Sequence, residues 1–208
     1  MPIANETFTR REALASLAAG AAALTLPVRA FAQAPADATA LLDDIAWNLL
    51  EHSPASATTL GLDTGDKAYL RAKLGGTSPS DIAELVQTLR ADLARAQAFD
   101  KSGLDPATRT SFEVVESAYS TALDGFAQPY GDVAVGGWRN APYVVIQNVG
   151  GYIDYPRFLD ADHPVRDAAD ADAFLSRLEQ IPAALDGELE RIRAAAGIGV
   201  IPPAFLLA

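Results

Sequence analysis

The sequence predicts a mostly α fold: a multi-helix body carrying a small irregular loop-and-strand insertion at about residues 130–159. Three observations point to it. Apolar residues recur at spacings of three and four through most of the chain. Start and stop signals bracket those runs: Ser78-Pro79 and Asp105-Pro106 as starts, Gly75-Gly76 and Gly197-Ile198-Gly199 as stops. Between Tyr130 and Leu159 the period changes, glycines cluster (Gly131, Gly136, Gly137, Gly150, Gly151) and aromatic residues gather.

The first thirty-odd residues read as an export signal. Arg10-Arg11 precede a mild, alanine-rich apolar region, Leu14 to Leu26, too short to span a bilayer. Paired arginines before such a region resemble a twin-arginine signal, although Ala13 and Ala15 replace its usual bulky and basic residues. Ala30-Phe31-Ala32 offers small residues for cleavage, so residues 1–32 are assigned to the signal and 33–208 to one helical domain. The expected location is periplasmic or secreted, with no stable membrane insertion after cleavage. The chain has no cysteine and hence no disulfide framework. Cleavage would remove Arg10, Arg11 and Arg29 with Glu6 and Glu12, leaving 13 of 16 basic against 25 of 27 acidic residues. That surplus of negative charge argues against nucleic acid or an anionic membrane as partner.

The helices follow in order. Asp37 suits a cap for a helix with Leu41, Leu42, Ile45 and Leu49 on its apolar face. Ser53-Pro54 restarts the chain and Gly61 stops it, and Asp66 suits the start of a short helix with Leu70 and Leu74. Ser78-Pro79-Ser80-Asp81 opens a helix with Ile82, Leu85, Val86, Leu89, Leu93 and Ala96 inward and Glu84, Arg90, Asp92 and Arg95 outward. Asp105-Pro106 opens another, with Phe112, Val115, Tyr119, Ala122 and Phe126 spaced for burial. Asp167 suits the cap of the last long helix, which would bury Phe174, Leu178, Ile181, Leu185, Leu189 and Ile192 and contains Pro182. Pro203 then opens an apolar turn, from which residues 1–208 are expected to be the front of a longer protein.

Known catalytic patterns are missing. The two histidines, His52 and His163, have no second histidine at helical spacing and read as surface or capping residues. There is no Gly-x-Ser-x-Gly elbow and no Ser-x-x-Lys. Asp170/Asp172 and Glu188/Glu190 read as solvated charge. What is left is the insertion. Its run Tyr143-Val144-Val145-Ile146 reads as a buried strand. Trp138, Arg139, Asn140, Tyr143, Gln147, Asn148 and Tyr152 could bind a peptide or another polar chain, with the strand's edge adding main-chain bonds. The competing reading makes Trp138 and Tyr143 core anchors and pairs Arg139 with an acidic neighbour such as Asp132.

Leu60-Gly61-Leu62-Asp63, Tyr130-Gly131-Asp132, Pro142-Tyr143-Val144-Val145, Gln147-Asn148-Val149-Gly150, Pro156-Arg157-Phe158-Leu159 and Arg177-Leu178-Glu179 stand here in a familiar order. Together they resemble the front of the bacterial family called domain of unknown function (DUF) 885, over about residues 37–208. The resemblance implies the N-terminal portion of a larger helical, metallopeptidase-like fold. Its His-Glu…Gly-His zinc motif would lie in a following part, so zinc is expected only in a full-length relative, and no cofactor and no catalytic residue in this chain. Two functions remain open. One is the groove-forming part of an exported zinc-peptidase-like hydrolase, with the missing C-terminal part as partner; the other is a non-catalytic periplasmic binding or scaffold module.

Overall fold

The computed structural model describes residues 36–137 and 140–206. The export residues Arg10, Arg11, Ala30 and Ala32, like Trp138 and Arg139, lie outside the described residues. Six α-helices are described: α1 (Ala36–His52), α2 (Pro54–Thr59), α3 (Pro79–Ala98), α4 (Pro106–Phe126), α5 (Gly151–Ala161) and α6 (Ala168–Gly197). Two 3-10 helices accompany them, η1 (Gly65–Ala72) between α2 and α3 and η2 (Ala204–Leu206) after α6.

The starts at α3, α4 and α6 are built as the sequence suggests. The Ser78 hydroxyl accepts the Asp81 N–H at 3.2 Å while Asp81 Oδ2 accepts the Ser78 N–H at 2.8 Å, a reciprocal box. Asp105 takes the N–H groups of Ala107 and Thr108, and Asp167 that of Asp170. The earlier caps differ. α1 is already helical at Ala36, so Asp37 lies in its first turn, and Asp66 likewise falls inside η1. Ser53 makes no cap bond; its hydroxyl pairs with that of Ser56.

α1, α3 and α4 pack together as one layer. Ile45, Leu89, Ala96, Phe112, Tyr119 and Ala122 form its core, and Phe99 stacks on Phe112 with ring centroids 4.9 Å apart. One side chain expected outside sits within it. Asp92 is buried and receives both Asn48 Nδ2 (3.1 and 3.0 Å) and Arg95 Nη1 (2.9 Å), so its charge is compensated. Beside it His52 Nε2 meets the Thr88 hydroxyl at 2.9 Å.

The second layer, α2, η1, α5 and α6, is organised around a buried arginine. Arg177 is 0% exposed. Its guanidinium donates to the carbonyls of Lys73, Pro54 and Leu70, to the Thr58 hydroxyl and to His163 Nδ1, and lies over the Phe158 ring at 4.8 Å. Because a guanidinium only donates, Nδ1 of His163 is an acceptor. The ring's other nitrogen, 3.1 Å from the Asp170 carbonyl, is then the N–H. His163 is thus a buried structural residue, not a surface one. Burial pushes the Arg177 guanidinium down to about 10, which leaves it charged at neutral pH.

An ion-pair chain surrounds this hub. Arg71 bridges Asp63 (3.0 Å) and Asp170 (2.7 Å), and Arg166 also holds Asp170 (2.7 Å). Asp170 is fully buried, contrary to its expected solvation. Hydrogen bonds from Arg166, and then from Arg71, hold its carboxyl well below the usual range despite burial. Burial raises Asp63, but bonds from Arg71 and Thr58 outweigh it and leave that carboxyl lowered.

α6 also buries a different face from the one its leucines suggest. Inward are Asp170, Ala173, Arg177, Ala184, Gly187 and Ala195, whereas Leu178, Leu189 and Ile192 are exposed. Main chain is the reason. A Cβ on Gly187 would stand 2.7 Å from the Ser78 nitrogen, and the Thr77 hydroxyl donates to the Ala184 carbonyl at 2.5 Å. Only small residues permit that approach.

Candidate functional site

The insertion between α4 and α6 contains no strand among the described residues. Two single antiparallel bridges replace it, Asp132 with Ala141 and Ile146 with Val149. Each is a reciprocal pair of main-chain bonds, 2.9 and 3.1 Å for the first and 3.0 and 3.3 Å for the second. The Tyr143–Ile146 run fails as a strand because no second strand lies beside it and Pro142 offers no N–H. Only Val144 is buried by it. The C-terminal third of the expected insertion is helix α5. Gly150, at φ +137°, makes the turn into it, and Asp154 Oδ2 accepts the Gly150 N–H at 3.0 Å.

Both ends of the insertion are tied to one turn of α6. Glu188 accepts the Gly151 N–H at 2.9 and 3.1 Å, and Arg191 donates to the Gly131 carbonyl (3.2 Å) and to Asp132 (2.5 Å). Asp132 therefore pairs with Arg191, and Glu188 is not the solvated charge expected. Burial raises the Glu188 carboxyl, only partly offset by the Gly151 N–H, and the neighbouring Tyr155 is pushed up to about 12 by burial and by Glu188.

So tied, the segment after Asp132 lies along α4 and encloses an open groove of about 460 Å³. Such a volume falls within the range of roughly 300–1,000 Å³ usual for ligand sites. Its floor is one face of α4: Thr110, Glu113, Val114, Ser117, Ala118 and Thr121, spaced three and four apart. Ala134, Gly136, Gly137 and Asn140 form the rim. The rim is set by backbone. Gly136 takes φ +67°, and a Cβ there would stand 3.8 Å from that of Ala118. Asn140 Oδ1 accepts the Ala134 N–H at 2.8 Å, and among the described residues nothing accepts from its two Nδ2 donors. Chemically the groove offers hydroxyls, small apolar surface with Val114 60% exposed, and the carboxylate of Glu113.

Of the expected binding residues, Asn140 alone of those described lines this groove. Tyr152 instead braces the neighbouring turn, its hydroxyl donating to the carbonyls of Gln147 and of Ile146 (3.2 Å). Gln147 and Asn148 are the exposed corner of that turn, and Tyr143 is half-buried. The floor residues lie on the face of α4 opposite the buried stripe that its apolar spacing marks. The usable signal was the repeat of small and hydroxyl side chains on its other face. Among the described residues no group of three or more His, Asp or Glu is placed to hold a metal ion, and no helix is long and apolar enough to cross a membrane. The described residues thus supply no ligand set for zinc.

Residues 54–208, more than half of the chain, match the family described as bacterial protein of unknown function (DUF885). The chain belongs to that family. In fold it is similar to a solved structure, "the putative lipoprotein from Colwellia psychrerythraea", with a TM-score of 0.70 at 21% identity. The match covers 82% of this chain and 29% of that one, so the chain spans less than a third of that protein's length. No curated protein matches it.

Proposed function

We propose that this chain is the helical, groove-forming part of an exported hydrolase of the zinc-peptidase type, whose zinc ligands lie outside residues 1–208. The observation that supports it is the α4 groove: open along a helix, lined by hydroxyls and small apolar groups, with amide donors on its rim. An extended peptide presents matching carbonyls, N–H groups and short side chains. Glu113 makes no ion pair among the described residues and favours a peptide with a cationic side chain. Export rests on Arg10-Arg11, whose replacement by lysines should hold the precursor in the cytoplasm.

The test fills the groove. Ala118→Trp should abolish binding of an extended, lysine-containing peptide by the chain, and its hydrolysis by the longer polypeptide, with circular dichroism as the check that the helices are kept. Equal binding by the two forms would overturn the reading. The second reading is a non-catalytic periplasmic binding or scaffold module. It predicts the same peptide binding with no hydrolysis at any chain length.

A further inference from the structure

α6, 30 residues long, carries a second face that is left uncovered by the described residues. Leu175, Leu178, Pro182, Leu189 and Ile192 fall at alternating spacings of three and four once half-buried Leu185 is included. Leu175 is 55%, Leu178 47%, Leu189 38% and Ile192 37% exposed. At 1.5 Å per residue the stripe runs about 26 Å, the pattern and length of a knobs-into-holes seam. It lies between two different borders. On one side α5 packs, with the main chain at Gly151 against Leu185. On the other stand the exposed acids Asp172, Glu179, Asp186 and Glu190, with Arg193 at the far end. These acids make no ion pair or hydrogen bond with any described residue, whereas Asp63, Asp92, Asp132 and Asp170 are all paired.

We propose that this stripe is the docking seam for an amphipathic helix with basic edges, supplied by the longer polypeptide and not by a second copy of the chain. The proposal rests on the reading that the chain works within a longer polypeptide; the 29% coverage of the solved neighbour supports it, since the same fold there sits in a much larger body. Charge selects the occupant. A lysine- or arginine-edged helix neutralises the acidic border, while an antiparallel second copy would set Glu179 against Asp186 and add another net charge of −11. Apolar exposure of this extent on a monomer marks an interaction site.

Two measurements test it. A synthetic 21-residue helix with leucine at every third and fourth position and lysine on both edges is titrated against the full chain. It should bind one to one, roughly ten- to hundred-fold tighter than its glutamate-edged counterpart. Leu178→Glu or Ile192→Glu should remove binding, and Leu60→Glu, a more exposed leucine elsewhere, should not. Because the chain has no cysteine, Leu178→Cys gives a unique thiol. Its alkylation should be fast in the 208-residue chain and at least about ten-fold slower in the longer polypeptide. Failure of the lysine-edged helix to bind, equal alkylation in both lengths, or disulfide dimers on mixing the Leu178→Cys and Leu189→Cys forms would each overturn the proposal. A protected thiol without peptide hydrolysis would remove the hydrolase reading and leave the seam; hydrolysis with a reactive thiol would do the reverse.

Discussion

The two layers of this molecule are held by opposite chemistry. In the α1–α3–α4 layer, Ile45, Leu89 and Phe112 are sealed from water by other apolar groups. In the α2–η1–α5–α6 layer the largest sealed side chain is Arg177, and what surrounds it is carbonyls, a hydroxyl and an imidazole. The first layer joins helices to helices. The second joins a helix to segments with little regular structure, whose main-chain carbonyls at Pro54, Leu70 and Lys73 all accept from the guanidinium. One guanidinium with five donors satisfies three of them at once. The lesson is that a charged residue can serve as a core residue where the packing partner is main chain.

The largest expected effect breaks the second layer. Arg177→Met should cost about 3–5 kcal/mol, because it strands buried acceptors and Asp63 loses a nearby positive charge. Chemical denaturation checks it, and Arg177→Lys should recover little, since three donors on a point charge cannot reproduce the fork. Leu89→Ala, in the first layer, should cost about 2–5 kcal/mol by cavity formation. Thermal melts of the two variants as a function of pH separate the layers. Asp63 and Asp170 have lowered folded-state values, so the stability they confer is full above the ordinary carboxylate value of about 3.9 and is lost as pH falls through their folded values. Acid should therefore weaken wild type and Leu89→Ala alike, keeping a constant gap. Arg177→Met removes one of the charges that lower Asp63 but leaves Arg166 and Arg71 on Asp170, so it should lose only slightly less on acidification.

That contrast also explains what the sequence could reveal. Apolar spacing located α3 and α4 and their inward residues, because a helix packing on a helix buries the stripe that the period marks. The same rule placed Leu178, Leu189 and Ile192 on the inward side of α6, whereas the close approach of Thr77 and Ser78 selected the small face. Asp92, Asp170 and Glu188 were read as solvated because spacing within one helix says nothing of the partner that reaches it from another segment. Asn140 was legible on the glycine-rich loop, but the groove floor was not, since Thr110, Ser117 and Thr121 carry chemistry only beneath that loop.

The smallest effect concerns the tie between the insertion and α6. The raised folded-state value of Glu188 means that stability falls as pH rises from the ordinary glutamate value of about 4.3 through the raised one. Glu188→Gln keeps an oxygen for the Gly151 N–H and removes the charge. It should therefore match wild type in acid and be at least as stable at neutral pH, which paired pH melts would show.

The central claim, that the α4 face beneath Ala134, Gly136, Gly137 and Asn140 holds a peptide, is tested most directly by amide hydrogen exchange of the chain with and without a saturating lysine-containing peptide. The account predicts slowed exchange confined to residues 110–122 and the 132–141 segment, and lost in Ala118→Trp. Slowing located at the 146–149 turn, or no slowing at all, would contradict it.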